Sequence, residues 1–144
     1  MIDGMFNCGS MPVTERLVQF TAARHQLILN NIANISTPNY RPQELSVDSF
    51  QQALGKAIDA RRAKVAGSNQ PLEMPDTREL EFTPSGIEVK PQNAAAGILF
   101  HDRNDRSVET EMKNLAENTM THNMALSFLK SKYQLLETAI RERV

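Results

Sequence analysis

Residues 107–144 read SVETEMKNLAENTMTHNMALSFLKSKYQLLETAIRERV and form the most regular stretch of this 144-residue chain. The stretch contains no proline or glycine, the two residues that weaken a helix most. Ten of its positions follow one another at steps of four and three residues: Val108, Met112, Leu115, Thr119, His122, Leu126, Leu129, Tyr133, Leu136 and Ile140. This spacing predicts a coiled-coil seam. A helix of this length measures roughly 55 Å, so we expect a second long helix, from this chain or from a neighbouring molecule, to pair with it.

A second stretch without helix breakers lies near the N-terminus and predicts the partner helix, from about Thr14 to Ile35. Its apolar face carries Leu17, Phe20 and Leu27, followed by the amides Asn31 and Asn34. Pro38 disfavours the helical conformation of the residue before it and so ends the helix. Asn39 then suits a turn, because asparagine tolerates a positive φ.

The chain between these helices contains most of the prolines and glycines and predicts shorter elements. A short amphipathic helix is marked by Val47, Phe50, Leu54, Ile58 and Val65. Residues 79–83 and 86–90 alternate polar and apolar side chains on either side of a Pro-Ser pair, which predicts a small β-hairpin. An isolated hairpin is marginally stable, so we expect this middle region to be mobile until something covers it.

These patterns predict a mainly α, elongated fold in which long N- and C-terminal helices pair as a coiled coil. Leu, Ile, Val and Phe together make up 34 of the 144 residues, which favours a thin core. We expect four segments: a segment before the first helix (1–12), the N-terminal helix (13–37), the middle region (38–106) and the C-terminal helix (107–144).

Composition excludes several classes of function. The 16 basic and 17 acidic residues leave a net charge of −1, so we expect no binding to nucleic acid. No apolar run approaches the roughly 20 residues that cross a bilayer, so we expect no membrane span. The N-terminus lacks the basic and apolar regions of a Sec-type signal peptide.

Catalytic and cofactor motifs are also missing, and we expect neither enzymatic activity nor a cofactor. The sequence has no GxxxxGK[ST], GxGxxG or GxSxG motif. A zinc site built from His25, His101, His122 and Cys8 is the weaker interpretation, because the histidines lack HxxxH or HxH spacing. His122 is better explained as a polar interruption of the helix seam.

The most informative run is Leu29-Asn30-Asn31-Ile32-Ala33-Asn34-Ile35-Ser36-Thr37-Pro38-Asn39-Tyr40. A buried asparagine facing a partner helix fixes register, and this is one interpretation of Asn31 and Asn34. The other is that the amides cap the helix end. The run resembles the N-terminal signature of the bacterial flagellar axial proteins of the rod and hook, approximately A-x-N-[IL]-A-N-x-[ST]-T-P-G-Y, with Asn39 in place of the usual glycine.

Within that family the resemblance is greatest to the short proximal rod proteins. The longer members carry an inserted domain that 144 residues cannot hold. The F-x-x-x-L step that follows the turn is present as Phe50 and Leu54. The proximal rod proteins also have a typical stretch before their last helix. This chain matches it at Asn104, Glu109, Glu111, Met112, Leu115, Ala116 and Asn118 but has Arg106-Ser107 in place of the usual Val-Asp pair. These motifs favour one of the two related proximal rod proteins of the family, and the other is the main alternative.

The resemblance implies a structural subunit of the proximal rod of the flagellar basal body, which polymerises through its terminal helices into the torque-transmitting drive shaft. The implied partners are other copies of the chain, other rod proteins, the adaptor joining the rod to the export gate and membrane ring, and the flagellar export apparatus. The implied location is the periplasmic rod, reached by type III export without a cleaved signal peptide. The resemblance also implies that residues 1–12 are the disordered segment read by the exporter. The alternative is a helical coiled-coil adaptor or an export chaperone.

The expected subunit interface runs along both terminal helices and the turn after the first. It comprises Leu17, Phe20, Leu27, Asn31, Asn34, Thr37, Pro38, Tyr40, Met112, Leu115, Leu126, Leu129, Tyr133, Leu136 and Ile140.

Overall fold

The computed structural model describes residues 9–64, 72–83, 86–90, 92–93 and 108–142. The helices of this part are α1 (Met11–Ala33), α2 (Val47–Ala63) and α3 (Val108–Arg141). Its strands are β1 (Gln43–Glu44), β2 (Leu80–Thr83), β3 (Gly86–Val89) and β4 (Gln92–Asn93). The mainly α fold with two long terminal helices and a small antiparallel hairpin is confirmed.

Helix α1 begins earlier than the sequence pattern predicts. It starts at Met11 instead of about Thr14, and Pro12 lies in its first turn, where the missing N–H of proline leaves no hydrogen bond unmade. Both Met11 and Pro12 are buried. These two residues, which the sequence assigned to the N-terminal segment 1–12, therefore belong to the helix. Residues 1–8 lie outside the described part of the chain.

Helix α2 carries its own start and stop signals. The side chain of Ser46 accepts a hydrogen bond of 3.1 Å from the backbone N–H of Ser49 and so caps the helix. Asp48 in the first turn and Arg61 and Arg62 in the last turn have the charges that complement the helix dipole. The helix ends two residues before Val65, which lies outside the described residues.

The hairpin predicted for the middle of the chain is formed by β2 and β3. The strands pair antiparallel, with Leu80 opposite Val89 and Phe82 opposite Ile87. The Pro84-Ser85 turn itself lies outside the described residues. A second antiparallel pair, β1 with β4, was not predicted, because strands of two residues are too short to show an alternating pattern.

A small apolar core lies between α1, α2 and the hairpin. Phe20, Leu45, Phe50 and Leu80 form this cluster, and each is almost completely buried. The rings of Phe20 and Phe50 are stacked, with their centroids 4.0 Å apart and their planes 5° from parallel. Aromatic pairs of this kind dominate the energetics of small cores. The described part of the middle region is therefore held against α1 by its own core.

Candidate assembly surface

The asparagine-rich run at the end of α1 folds the following turn back onto the helix through Asn31. The Asn31 amide nitrogen donates to the Gln43 carbonyl (2.8 Å), and its oxygen accepts from the Gln43 N–H (3.0 Å) and the Tyr40 hydroxyl (2.9 Å). The amide nitrogen also lies 3.4 Å from a carboxylate oxygen of Glu111 on α3. Since Asn31 is buried, each of these bonds replaces one that water would make. Asn31 therefore joins α1, the turn and α3.

Asn34 has a different role from Asn31, although both belong to the same run. It is the C-cap of α1, and its side-chain nitrogen donates to the Asn30 carbonyl over 2.9 Å. The Thr37 hydroxyl lies 3.4 Å from the Asn34 side-chain oxygen. The capping interpretation thus applies to Asn34, while the buried contact with another helix belongs to Asn31. Asn39 adopts a φ of 60°, which confirms the predicted left-handed turn.

Helices α1 and α3 pair with each other within one chain, and they run antiparallel. The Tyr133 hydroxyl donates to a Glu15 carboxylate oxygen over 3.0 Å near the start of α1, and Asn31 meets Glu111 near its end. Midway, the Asn118 amide donates to the Thr21 carbonyl over 2.9 Å.

The Thr21 hydroxyl in the same layer lies 2.8 Å from His122 Nδ1. This contact supports the interpretation of His122 as a polar residue within the helix seam.

The predicted seam consists of two rows of residues along α3, and only one of these rows faces α1 in the structure. The first row is half-buried, as predicted, and consists of Leu115, His122, Leu129 and Leu136. The intervening row is Asn118 and Ala125, both buried, instead of Thr119 and Leu126, which are exposed. The predicted row was wrong because the spacing of four and three residues continues through Thr119 and Leu126, each one residue beyond the position that is buried against α1. A buried alanine and a buried asparagine let the two helices approach closely, and neither was expected from an apolar pattern.

The expected interface residues fall into two groups in the structure. Phe20 and Asn31 are buried within the chain, and the half-buried members are Leu17, Leu27, Asn34, Tyr40, Leu115, Leu129 and Leu136. The exposed members are Thr37, Pro38, Met112, Leu126, Tyr133 and Ile140. The exposed group is thus concentrated on α3.

A further apolar surface on α3 was not predicted. Met120, Met124, Phe128 and Leu135 are exposed to 74%, 52%, 59% and 67%, and we call this group the α3 ridge. Steps of four and seven residues place its members on one side of the helix. Met120 is two residues from both Asn118 and His122, so the ridge faces away from α1. The four-residue steps from Met120 to Phe128 are visible in the sequence. They were overlooked because the seam, which repeats every seven residues, is the longer pattern.

The two tyrosines have raised pKa values for different reasons. Burial raises the pKa of Tyr40, and the negative charge of Glu111 adds to the effect. The pKa of Tyr133 is raised first by the hydrogen bond that its hydroxyl donates to Glu15, then by burial and the charge of that carboxylate. Tyr40 lies where the turn meets the end of α1, and Tyr133 lies where α3 meets the start of α1.

The described residues contain neither a metal-binding cluster nor a membrane-spanning helix. No group of three or more His, Cys, Asp or Glu side chains there is arranged to hold a metal ion. Cys8 and His101, two of the four residues of the possible zinc site, lie outside this part of the chain. None of its helices combines the length and the apolar character needed to cross a bilayer.

Comparison with known proteins shows similarity along nearly the whole chain. The flagellar basal body rod protein FlgB of Borrelia hermsii is 28% identical over 138 residues, which cover 92% of this chain and 96% of that protein. FlgB of Bacillus subtilis (strain 168) is 23% identical, and FlgB of Aquifex aeolicus (strain VF5) is 24% identical. Each of these two matches covers at least 90% of both chains. These three similarities support a FlgB-like family of flagellar rod proteins for this chain. No protein-family model matches it.

The resemblance found in the asparagine-rich run is thereby confirmed, and the relatives found are FlgB proteins. For this FlgB-like protein, the similarity supports a component of the flagellar basal-body rod. The matched lengths leave no room for a large inserted domain, in agreement with the short chain.

Proposed function

We propose that the chain is a structural subunit of the proximal rod that polymerises through its terminal helices into the torque-transmitting drive shaft of the flagellum. The observation that carries this proposal is the exposed apolar surface along α3, which α1 leaves uncovered. Contiguous apolar surface of this kind marks protein–protein contacts. The similarity to three basal body rod proteins supports the rod as the assembly in which those contacts form.

The relative lengths of the two helices also favour association between molecules. Helix α3 has 34 residues and α1 has 23, so α3 is about 16 Å longer. Ile140, in the last turn of α3, is 53% exposed. Burying such side chains against neighbours contributes about 25 cal/mol per Å² of apolar surface. Many contacts of this size, shared among subunits, suit a shaft that transmits torque.

The two groups of expected interface residues have different proposed roles. Met112, Leu126 and Ile140 contact neighbouring subunits directly, since they are exposed on α3. Tyr133, which is also partly exposed, joins α3 to Glu15 of α1 and so helps to position this surface. Phe20 and Asn31 hold α1, the turn and α3 in the geometry that presents this surface. The non-enzymatic role follows from this proposal, because a rod subunit acts through its contacts alone.

The wider setting is part of the same proposal. The partners are other copies, other rod proteins, the adaptor between rod and membrane ring, and the flagellar export apparatus. The location is the periplasmic rod, reached without a cleaved signal peptide, with the residues before α1 serving as the export segment. A small core supports this route, because a chain with little buried apolar surface loses little free energy when it unfolds for export.

The experiment that tests the proposal is complementation followed by isolation of basal bodies. In cells that lack their own copy, the tagged chain should restore swimming and should be recovered in purified basal bodies. Leu126→Asp should lower recovery, whereas Asn123→Asp, at an exposed polar position in the same turn of α3, should not. A chain that stays soluble as a stable dimer bound to an exported client, and is absent from basal bodies, would support the adaptor or chaperone alternative.

A further inference from the structure

The hydrogen bonds of the β2–β3 hairpin fix which backbone groups point out of it. The Lys90 N–H donates to the Glu79 carbonyl over 2.7 Å, so this is a hydrogen-bonded pair. Along an antiparallel ladder such pairs alternate with pairs that exchange no bonds, and the backbone groups of the latter point outward. On β3, Ile87 and Val89 belong to the second kind. Their N–H and C=O groups therefore lie along the outer edge of β3.

The outer edge of β2 is covered, whereas the described residues leave that of β3 uncovered. On β2 the Leu80 N–H donates to the Thr77 hydroxyl over 3.0 Å, and the Phe82 N–H donates to an Asp76 carboxylate oxygen over 2.9 Å. The Leu80 carbonyl accepts from the Thr77 N–H over 2.9 Å. No described residue forms a hydrogen bond with the outward backbone groups of β3. Such an edge is a template for a further strand.

An apolar groove lies beside this edge, between α1 and β3, and we call it the α1–β3 groove. Its volume is about 630 Å³, and it is lined by Ala23, Gln26, Leu27, Leu29, Asn30 and Val89. Side chains that lie opposite each other on neighbouring strands are on the same face of the sheet. A strand added next to Val89 therefore directs the side chain opposite Val89 towards the groove. The mostly apolar lining favours an apolar side chain there.

The other face of the hairpin is acidic. Glu81 and Glu88 lie directly opposite each other across the two strands, and like charges in this arrangement are destabilising. Lys90, on the same face, forms an ion pair with Glu81. The hydrogen bond and the charge of Glu81, followed by the charges of Glu88 and Asp76, raise the pKa of Lys90. Three carboxylates thus act on one ammonium group, so this face favours a further basic side chain beside Glu88.

We propose that the outer edge of β3 binds an extended segment of a partner protein, which adds to the hairpin as a third strand. An apolar side chain of that segment occupies the α1–β3 groove. The residues before and after it point to the opposite face, where basic side chains complement the carboxylates. Backbone hydrogen bonds give such a contact its affinity, and alternate side chains give it specificity. This inference goes beyond the proposed function, which uses helix surfaces, because it names a second kind of contact.

The test uses the peptide acetyl-Lys-Val-Lys-Val-Lys-amide as the probe and follows the amide resonances of the isotope-labelled full chain. We expect the amide protons of Ile87 and Val89 to shift to lower field until binding saturates and to exchange more slowly with solvent, because they gain acceptors. The matched control is the same peptide with N-methyl groups on both valines. It lacks the donors that face β3 and should bind at least about tenfold more weakly.

A substitution in the chain tests the charge on the acidic face. Glu88→Gln should weaken binding of the lysine peptide by about two- to fivefold, because an exposed ion pair contributes little. Glu109→Gln, at an exposed position of α3, should leave binding unchanged. Both positions are exposed, so neither substitution disturbs the core. Equal binding by the two variants would show that Glu88 does not face the added strand and would overturn the proposed orientation of the segment.

Three further results would overturn the inference. Slow solvent exchange of the Ile87 and Val89 amides in the chain alone would show that this edge is already paired within the chain. Equal binding of the N-methylated peptide would place the contact on side chains and not on the strand edge. No saturable shift at Ile87 and Val89 would show that the edge accepts no strand. None of these measurements depends on recovery of the tagged chain in basal bodies, so the proposed function stands or fails separately.

Discussion

Adjacent residues of α1 face two very different surroundings. Phe20 packs into the apolar cluster with Leu45, Phe50 and Leu80, where almost no side-chain surface is left to solvent. Thr21, the next residue, faces α3, where it meets the Asn118 amide and the His122 ring. One side of the helix is thus held by apolar packing and the other by a layer of hydrogen bonds.

The two sides of α1 therefore have different effects: one stabilises the fold, and the other fixes the register between α1 and α3. Apolar packing is roughly proportional to buried area and has little directional preference. A hydrogen bond contributes only about 0.5–1.5 kcal/mol net, but a buried group that loses its partner costs more than that. A slip of α3 along α1 would separate Asn118 and His122 from Thr21. The polar layer therefore sets how the two helices align, while the apolar cluster stabilises the fold through buried area.

The largest expected effect comes from removing the stacked ring on the apolar side. Phe50→Ala should lower the free energy of unfolding by about 3–5 kcal/mol, because it deletes a fully buried ring and leaves a cavity beside Phe20. Urea unfolding followed by circular dichroism measures this loss. The control is Gln52→Ala on the exposed side of α2, which should change the value by no more than about 0.5 kcal/mol. Equal effects of the two variants would contradict a core at this position.

The next effect separates the two asparagines of the same run. Asn31→Ala should cost about 1–3 kcal/mol, since it leaves the partly buried Gln43 backbone groups and the Tyr40 hydroxyl without their partner. Asn34→Ala should cost less than about 1 kcal/mol, because its bonds lie at a more exposed helix end. Both are measured by urea unfolding. A larger loss for Asn34→Ala than for Asn31→Ala would show that Asn31 does not join the turn to the helices.

A third substitution tests which row of α3 faces α1. Ala125→Leu should destabilise the chain by about 1–3 kcal/mol, because the added methylene groups have no space in a closely packed seam. Ala116→Leu, at an exposed position of the same helix, is the control and should be close to neutral. Leu126→Ala should also have a small effect. The originally predicted seam requires the reverse order, with Leu126→Ala the most costly.

Much of the fold could be predicted from periodicity and helix breakers. The two long helices, the shorter α2 and the β2–β3 hairpin follow from the spacing of apolar residues and from the positions of proline and glycine. The left-handed conformation of Asn39 followed from the chemistry of its side chain. Each of these features depends on residues close together in the sequence, which is why the local pattern was sufficient.

The rest could not be predicted, because it depends on distant contacts. Ala125 is buried since another helix passes closely at that point, and nothing in its neighbours indicates this. The partners of Asn31 lie 12 and 80 residues away in Gln43 and Glu111. The α3 ridge was overlooked for a related reason. Periodicity identifies apolar faces on a helix, but it does not show which of two faces pairs within the chain.

The smallest expected effect is a pH dependence at the two junctions that contain tyrosine. Folding raises the pKa of both Tyr40 and Tyr133 above the ordinary value near 10. A raised pKa in the folded state contributes stability that is present in full below the unfolded value and is lost as the pH rises through the folded value. We therefore expect the free energy of unfolding to fall above pH 10. The contribution of Tyr133 is small, because its side chain is partly exposed and solvent screens its interaction with Glu15.

These are the only two tyrosines in the chain, so the ultraviolet absorbance of the phenolate reports both and nothing else. In the folded chain the absorbance change should be centred above pH 10, and in concentrated urea it should return to about 10. Tyr133→Phe leaves Tyr40 alone, and its titration should stay above 10, because burial is the main cause of that shift. A folded-state titration of the Tyr133→Phe variant that coincides with the one in urea would show that Tyr40 is not enclosed between the turn and α3, and the junction through Asn31 would then lose its support.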